Sequence, residues 1–286
     1  MKVAICMSGH LREIQRMAIF HKKFFEKTQA DCFLATWDNE EVGSKSSAQI
    51  DEALDILKPK MHKIYCYDVI YSSHIMKYEN MRKKRPFEAG FHKNRTGADS
   101  YNYYFMMRAA NHLKMEYEIK KSMLYDVVIR SRPDIRIFDL LVGNINPNDV
   151  HFPRNSFHAM MTDNCFMAAS ATMDKLCACY DLIDYYLLVH NVKWVSEYVM
   201  EHHYKQLGLN LVSSNFTYGI CDAPQRVIGY LETGFFDVEM ATKIFGIPSS
   251  RQVFQDLQSK KINNIEAIEK LEYLFKMKLL MSNMLL

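Results

Sequence analysis

The 286-residue chain lacks the features that mark several common classes of protein. No apolar run approaches the roughly 18 residues of a membrane-spanning helix, and the run after Lys2 is too short for a secretory signal. The 36 basic and 33 acidic residues nearly cancel to a net charge of +3, so no global positive field marks a nucleic-acid-binding protein. We therefore expect a cytoplasmic protein with no transmembrane segment and no nucleic-acid partner.

Cysteine and histidine patterns exclude further classes. The seven cysteines include no CxxC pair and several lie in apolar runs, which indicates core thiols in a reducing compartment rather than disulfides. The histidines form no HExxH or other metal-binding pattern. The GxSxG motif of many serine hydrolases is also missing.

What the chain does contain is the composition of a folded α/β protein. The hydrophobic fraction of 49% and the aromatic fraction of 13% are sufficient for a substantial core. Strands are predicted at 2–7, 32–37, 63–67, 126–130, 150–152, 165–168 and 209–212, and helices at 11–25, 48–57, 99–121, 173–187 and 194–207. This alternation predicts a mostly parallel sheet, with the continuously apolar strand at 126–130 in its centre.

Two regions differ from this alternating pattern. After residue 229 the strand signals end and an amphipathic helix closes the chain, so we predict a catalytic domain over 1–228 and a helical extension over 229–286. Residues 68–98 are rich in lysine and arginine and poor in apolar anchors, which predicts a mobile basic insertion. It is either a solvated loop or a basic flap over a phosphate-bearing substrate.

The most informative segment is Arg130–Asp134, with the sequence RSRPD, at the carboxyl end of the predicted central strand. Ligands bind at this end of the strands in open α/β sheets. The forked donors of Arg130 and Arg132 match phosphate, and Asp134 offers oxygens of the kind that Mg²⁺ or Mn²⁺ prefers. The chemistry predicts a diphosphate site, with an ordinary ion-pair cluster as the alternative.

The first loop carries a second set of candidates. Gly9, after Ser8, allows the backbone to approach a ligand, and Arg12 lies in the first turn of the helix that follows. These positions favour contact with a nucleotide phosphate or base. The loop is too short for a GxGxxG or Walker motif, and a simple turn is the alternative.

Trp37 and Asp38 end the second strand on the same predicted rim. The indole could stack on a base and the carboxylate could bind ribose, whereas a core tryptophan is the alternative. Arg108, on the long helix, is a further candidate for donor binding.

The segments at 5–12 (ICMSGHLR), 31–38 (DCFLATWD) and 130–134 together resemble GT-A-like nucleotide-sugar glycosyltransferases of bacteria and large DNA viruses, including chlorella-virus enzymes. The order and spacing match over about residues 1–215. The resemblance implies a GT-A-like, Rossmann-type α/β fold. It also implies transfer of a hexose or pentose from a nucleoside-diphosphate sugar to a hydroxyl of a glycan or glycoconjugate, in the host cytoplasm if the protein is viral.

Enzymes of this kind hold Mn²⁺ or Mg²⁺ on the diphosphate with an Asp-x-Asp motif. In this chain Arg132 stands in place of the first aspartate, so the resemblance leaves Asp134 as the metal ligand. Arginines at this position could also neutralise the leaving diphosphate directly.

An inverting transferase needs a carboxylate that takes the proton of the acceptor hydroxyl. Asp163, in a polar pair before an apolar strand, and Glu197, at a helix start, are the candidates, and the resemblance places both segments near the donor sugar or acceptor. A helix-capping carboxylate is the alternative for Glu197. Two other functions stay open: a nucleotidyltransferase that makes an activated sugar, and a non-catalytic nucleotide- or glycan-binding module.

Overall fold

The computed structural model describes residues 1–11, 14–39, 47–84, 97–138, 143–153, 164–214, 216–220, 228, 231–232, 237–245 and 247–283. Close packing divides the chain into two compact units, Met1–Tyr218 and Gly219–Leu286. The domain boundary after residue 228 remains a prediction. In the ranges given above, no helix is long and apolar enough to cross a membrane.

The first unit alternates strands and helices as the sequence predicts. Its strands are β1 (Val3–Gly9), β2 (Asp31–Trp37), β3 (Met61–Tyr65), β4 (Val127–Ser131), β5 (Ile135–Phe138), β6 (Asp149–Pro153), β7 (Phe166–Ala168) and β8 (Asn210–Ser214). Its helices are α1 (Ile14–Thr28), α2 (Ser47–Leu57), α3 (Tyr67–Lys84), α4 (Gly97–Lys121), α5 (Ser170–Cys177), α6 (Cys179–Leu188) and α7 (Ser196–Gln206). A further strand, β9 (Thr217–Ile220), pairs with β5 in a small separate sheet.

Within the described ranges, seven strands form one sheet in the order β3-β2-β1-β4-β7-β6-β8. Neighbouring strands are parallel except at β7, which runs antiparallel to both β4 and β6. The predicted α/β class, a mostly parallel sheet flanked by helices, is confirmed. The central position of β4 is confirmed as well, and every residue of this strand is buried, which accounts for its unbroken apolar run.

The path of the chain through the sheet changes direction next to β1. The chain passes from β1 outward to β2 and β3, and then returns through α4 to β4 on the other side of β1. The direction of winding therefore reverses between β1 and β4. In open α/β sheets, ligands bind outside the carboxyl ends of the strands at such a reversal.

Helix α4 packs against β1 and β2 and carries one fully buried cation, Lys114. Its Nζ donates to Ser170 Oγ at 2.5 Å and to Asp174 Oδ1 at 2.7 Å, and it lies 2.9 Å from Glu118 Oε2. Desolvation lowers the pKa of Lys114, but the bonds to Asp174 and Glu118 outweigh it and the net pKa is raised. Lys114 is thus a permanently charged structural group with its donors satisfied.

From residue 228 onward the regular elements of the second unit are helices where it is described, as the sequence predicts for the C-terminal region. Its helices are α8 (Val238–Phe245), α9 (Ser250–Gln258) and α10 (Asn264–Asn283). Ile228, Ala241, Phe254 and Leu271 belong to a buried apolar cluster of its own. The amphipathic pattern of the C-terminal helix therefore serves packing within this unit.

Part of the predicted basic insertion is regular structure. Residues 68–84 form most of α3, so the interpretation as a solvated loop is wrong there, and residues 85–96 lie outside the described residues. Lys77 forms an ion pair with Asp184 at 3.1 Å. The three basic residues of the last turn are exposed, where positive charge complements the helix dipole. The mobility of the segment and its role as a flap remain predictions.

Most of the predicted core thiols are in the core. Cys6, Cys32, Cys165, Cys177 and Cys179 are buried. Burial raises the pKa of Cys6 to about 12, so this thiol stays protonated. The prediction is wrong for Cys66, which is exposed between β3 and α3, and Cys221 lies outside the described residues.

Candidate functional site

The candidate site lies at the carboxyl ends of β1 and β4, where the strand order reverses. The register pairs Cys6 with Arg130 and Met7 with Ser131, so Ser8 is level with Arg132, the first residue after β4. Because side chains alternate along a strand, Ser8 and Arg130 project from the same face of the sheet. This is the face on which α4 packs, since Cys6 and Val128 share the core cluster with residues of that helix.

The end of β1 requires glycine and leaves a polar group unsatisfied. Gly9 has φ = 123°, a conformation that residues with a Cβ rarely adopt, although a Cβ there would meet no other atom within 4 Å. Ser8 is buried, and its Oγ has no hydrogen-bond partner among the residues that the structure describes. A buried hydroxyl without a partner is uncommon and indicates a position that a ligand could satisfy.

Arg130 is a buried cation without a matching anion. It is 1% exposed, and no carboxylate of the described chain lies within ion-pair distance of it. Its Nη1 donates to the backbone carbonyl of Asn164 at 3.3 Å and its guanidinium lies 5.3 Å from the ring of Tyr103, while its Nε has no partner in the described ranges. Burial of an unpaired charge is unfavourable, so this arginine indicates a site built for an anion.

A tight turn follows β4 and orients a second arginine. Arg132 Nε donates to Asp134 Oδ1 at 2.9 Å, and its Nη2 contacts Asp134 Oδ2, which completes a bidentate pair. The Nη1 of Arg132 donates to Asn164 Oδ1 at 2.9 Å. The Ile135 amide closes the turn on the Arg132 carbonyl at 3.2 Å. We call residues Arg130–Asp134 the arginine turn, and Asn164 contacts both of its guanidinium groups.

His21, on α1, holds the arginine turn by a hydrogen bond to its backbone. It is 3% exposed, and its Nε2 donates to the Pro133 carbonyl at 2.7 Å. Desolvation lowers the pKa of His21 to about 4, although the Pro133 bond and the charge of Asp134 act in the opposite direction. His21 is therefore neutral at physiological pH, with the tautomer fixed by the carbonyl.

This geometry predicts a pH-dependent stability. The pKa of His21 falls from 6.5 in the unfolded chain to about 4 in the folded protein, so the unfolded state binds more protons between these values. The free energy of unfolding should decrease as the pH falls from 6.5 towards 4, by up to about 3 kcal/mol from this residue. Urea unfolding across this range measures the slope.

His21→Gln is the matched control, because glutamine keeps a donor for Pro133 and does not titrate. The other buried histidines, His74 and His203, also have lowered pKa values, but they are common to both proteins and cancel in the comparison. The variant should show a shallower slope than the wild type. Equal slopes would exclude His21 as the source.

Trp37 is part of the core rather than an open stacking surface. It is 3% exposed, and its ring contacts those of Tyr65, Tyr67, Phe105 and His10, with the Phe105 ring stacked at 6.1 Å. The predicted stacking of a base on this indole is corrected accordingly, because neighbouring rings cover its faces. The half-buried rings beyond it are His10, Tyr67 and Tyr71, which we call the aromatic rim.

Asp38 caps helix α3. Its Oδ1 accepts from the Tyr67 amide at 2.9 Å, and its own amide donates to the Tyr65 carbonyl at 2.9 Å. The carboxylate thereby satisfies one of the amides that a helix start leaves unpaired and favours the dipole. Asp38 is half-buried beside the aromatic rim, and its contact with a ribose remains a prediction.

Arg108 does not join the carboxyl edge. Its Nη1 forms an ion pair with Asp181 of α6 at 3.1 Å, and its guanidinium lies 5.7 Å from the Tyr180 ring. This side of α4 faces α6 and not the sheet, so donor binding by Arg108 stays a prediction that its position does not favour. The residue connects two helices at the surface.

Glu197 lies in the first turn of α7, and contacts connect it to the arginine turn. The Tyr103 ring, over which Arg130 lies, packs edge-on against Tyr104 at 4.9 Å, and Tyr104 donates its hydroxyl to the Ser196 carbonyl at 2.5 Å. The carboxylate of Glu197 accepts from Ser196 Oγ at 3.0 Å and is half-buried.

Two other predicted site residues, Arg12 and Asp163, lie outside the described residues.

The solved structures that resemble this fold in part include two of one protein. Both are of the glycosyltransferase GlyE of Streptococcus pneumoniae TIGR4. The apo form has 12% sequence identity and a TM-score of 0.39, and the second structure has 11% and 0.38. In each case the similarity covers 94% of this chain and 62% of the other chain. No family model and no curated protein matches the sequence.

Three residues at the site are not among the sequence-predicted candidates. Asn164 receives hydrogen bonds from both arginines, His21 holds Pro133, and the ring of Tyr103 supports Arg130. Asn164 had a signal in the sequence, since it follows Asp163 in the polar pair that precedes β7. The other two have no local signal, because only the packing of α1 and α4 brings them to the turn.

The residues present do not form a typical site for a divalent metal. In the part of the chain that the structure describes, no group of three His, Cys, Asp or Glu side chains is placed to hold an ion. Both oxygens of Asp134 are engaged by Arg132. The metal on Asp134 that the resemblance implies therefore remains a prediction that this arrangement of donors does not favour.

Proposed function

We propose that the protein is a glycosyltransferase that moves a sugar from a nucleoside-diphosphate sugar to a hydroxyl of a glycan or glycoconjugate. The observation that carries the proposal is the buried Arg130, which has no ion-pair partner among the residues that the structure describes, beside the oriented Arg132 at the strand-order reversal. Arg130 and Arg132 both contact Asn164, and the one carboxylate bound to Arg132 leaves a net positive charge that favours an anion. A diphosphate satisfies this requirement.

The rest of the same edge suits the nucleoside. The aromatic rim follows the carboxyl ends of β1 and β3, and the arginine turn lies at the carboxyl end of β4, so aromatic and cationic groups lie at one edge of parallel strands. A base is flat and apolar on its faces, whereas the diphosphate is charged. A nucleotide that spans the edge, with its base at the aromatic rim and its phosphates at the arginine turn, would match both halves.

In this proposal the arginine turn stabilises the departing diphosphate. Breakage of the bond between the sugar and the phosphate places additional negative charge on the leaving oxygen, and fixed positive groups in a buried site lower the barrier without needing to reorganise. Arg132 would contact the phosphate. Arg130 would act from its buried position, through its positive charge and through the hydrogen bond that its Nη1 donates to the Asn164 carbonyl.

The acceptor hydroxyl must lose a proton as it attacks the sugar. Glu197 and Asp163 are the two proposed bases, and only Glu197 lies in the described part of the chain. Its carboxylate accepts a hydrogen bond from Ser196 Oγ and is half-buried in the first turn of α7.

A screen of nucleotide sugars tests the proposal. The thermal unfolding midpoint should rise with one donor class, since ligand binding to the native state stabilises it by about 2.7 kcal/mol at a hundredfold excess over Kd. Incubation of that donor with glycan acceptors should then release nucleoside diphosphate. A protein that binds the donor and never releases the diphosphate would be a binding module, and one that forms pyrophosphate from a nucleoside triphosphate would be a nucleotidyltransferase.

A further inference from the structure

We infer that arginine, and not a divalent metal, neutralises the donor diphosphate, and that Asp134 is the positioning residue for Arg132. This inference rests on the function proposed above. It concerns the chemistry of one pair of side chains at the turn after β4.

The geometry of the pair assigns different roles to its members. The Asp134 side chain is 3% exposed and the Arg132 side chain is 22% exposed, so the guanidinium can reach a ligand where the carboxylate cannot. The two side chains meet through two parallel contacts, from Nε and from Nη2 to the two carboxylate oxygens. Such fork-to-fork pairing fixes the plane of the guanidinium.

Asn164 fixes the same plane from the third side, because its Oδ1 accepts from Arg132 Nη1. All three nitrogens of the guanidinium are thus held by Asp134 and Asn164. A rigid, oriented cation is what stabilisation of a leaving group requires, since the group then needs no reorganisation during the reaction. The positioning of Arg132 accounts for the buried carboxylate without a metal.

A divalent cation at Asp134 would compete with this arrangement. The cation would have to displace Arg132 from the two Asp134 oxygens, because each of them already accepts a contact from the guanidinium. It would also lie beside a group of like charge. A second carboxylate two residues earlier would offset that repulsion, but Arg132 itself occupies that position. Arg130 adds a second positive charge, so Arg130, Arg132 and Asp134 together carry a net positive charge that would attract a diphosphate.

Calorimetric titration of the wild-type protein decides the question. ADP, CDP, GDP and UDP are titrated in buffer with EDTA and in buffer with MnCl₂. At least one of them should bind with a Kd that differs by less than about threefold between the buffers. Binding only in MnCl₂ would overturn the inference and leave the proposed function standing, and no binding in either buffer would overturn both.

Two variants give an independent reading. Arg132→Asp creates carboxylates at 132 and 134, so diphosphate binding in EDTA should weaken at least about tenfold and MnCl₂ should recover part of it. Asp134→Asn should weaken binding by the same factor in both buffers, because it disturbs the positioning of Arg132 and removes no metal ligand. A loss in Asp134→Asn that is confined to MnCl₂ would identify Asp134 as a metal ligand and overturn the inference. Circular dichroism confirms that each variant is folded.

Discussion

Replacement of Arg130 by methionine is expected to lower kcat/KM for sugar transfer about 10²- to 10³-fold, the usual effect of removing one group that stabilises transition-state charge. The same substitution should leave the melting temperature of the ligand-free protein unchanged or raise it. The two effects have one cause: Arg130 is buried with no anion beside it in the described part of the chain, so its charge destabilises the free fold and serves a bound anion.

The prediction follows from the environment of Arg130. Its hydrogen bond to the Asn164 carbonyl is 3.3 Å long, and its Nε has no acceptor among the described residues, so few of the favourable contacts seen there are lost. Methionine has a similar length and packs well against the Tyr103 ring. Replacement of buried charges by apolar residues of similar volume is often neutral or stabilising by about 1–4 kcal/mol.

Arg108→Met is the matched control for this experiment. Arg108 is also an arginine near an aromatic ring, but it forms a half-exposed ion pair with Asp181 and lies away from the carboxyl edge. It should change stability by less than about 1 kcal/mol and leave kcat/KM near the wild-type value. A large loss of transfer in both variants would point to a general effect of lost positive charge, and full transfer by Arg130→Met would exclude its role.

The sequence predicts the sheet well because its signals are local. The apolar runs of β1, β2 and β4 and their alternation with helices predict parallel strands. This prediction does not depend on which strand pairs with which. One local pattern was misleading: the helix predicted over 173–187 is divided at Ala178 into α5 and α6. The sequence does not reveal the division, because the apolar spacing continues from one helix to the next.

The site is predictable only in part because its contacts are long-range. The arginine turn is found from one segment, since a strand end, two arginines and an aspartate are adjacent in sequence. The partners that hold the turn by hydrogen bonds are remote in sequence: Asn164 is 32 residues from Arg132, and His21 is 112 residues from Pro133. Burial of individual side chains also depends on tertiary packing, which is why Trp37 at a strand end could not be assigned to core or rim in advance.

Glu197→Gln is expected to lower kcat by about 10²- to 10⁴-fold with little change in the affinity for the nucleotide sugar, since that is the usual contribution of a general base. Glutamine has nearly the same shape, and its amide oxygen can still accept from Ser196 Oγ, so α7 should begin as it does in the wild type. The Tyr104 bond to the Ser196 carbonyl is on the backbone and is unaffected. The loss would therefore report basicity rather than structure.

Asp163→Asn is the companion variant, and the pair together assigns the base. If Glu197 accepts the proton, Asp163→Asn should act mainly through KM and Glu197→Gln through kcat, because only an interaction made in the transition state lowers kcat without affecting ground-state binding. The reversed pattern would move the base to Asp163. Near-normal kcat in both variants would contradict a carboxylate base, and would favour a retaining reaction in which the leaving diphosphate takes the proton. The anomeric configuration of the product, measured by NMR, separates these mechanisms because an inverting enzyme must change it and a retaining one must not.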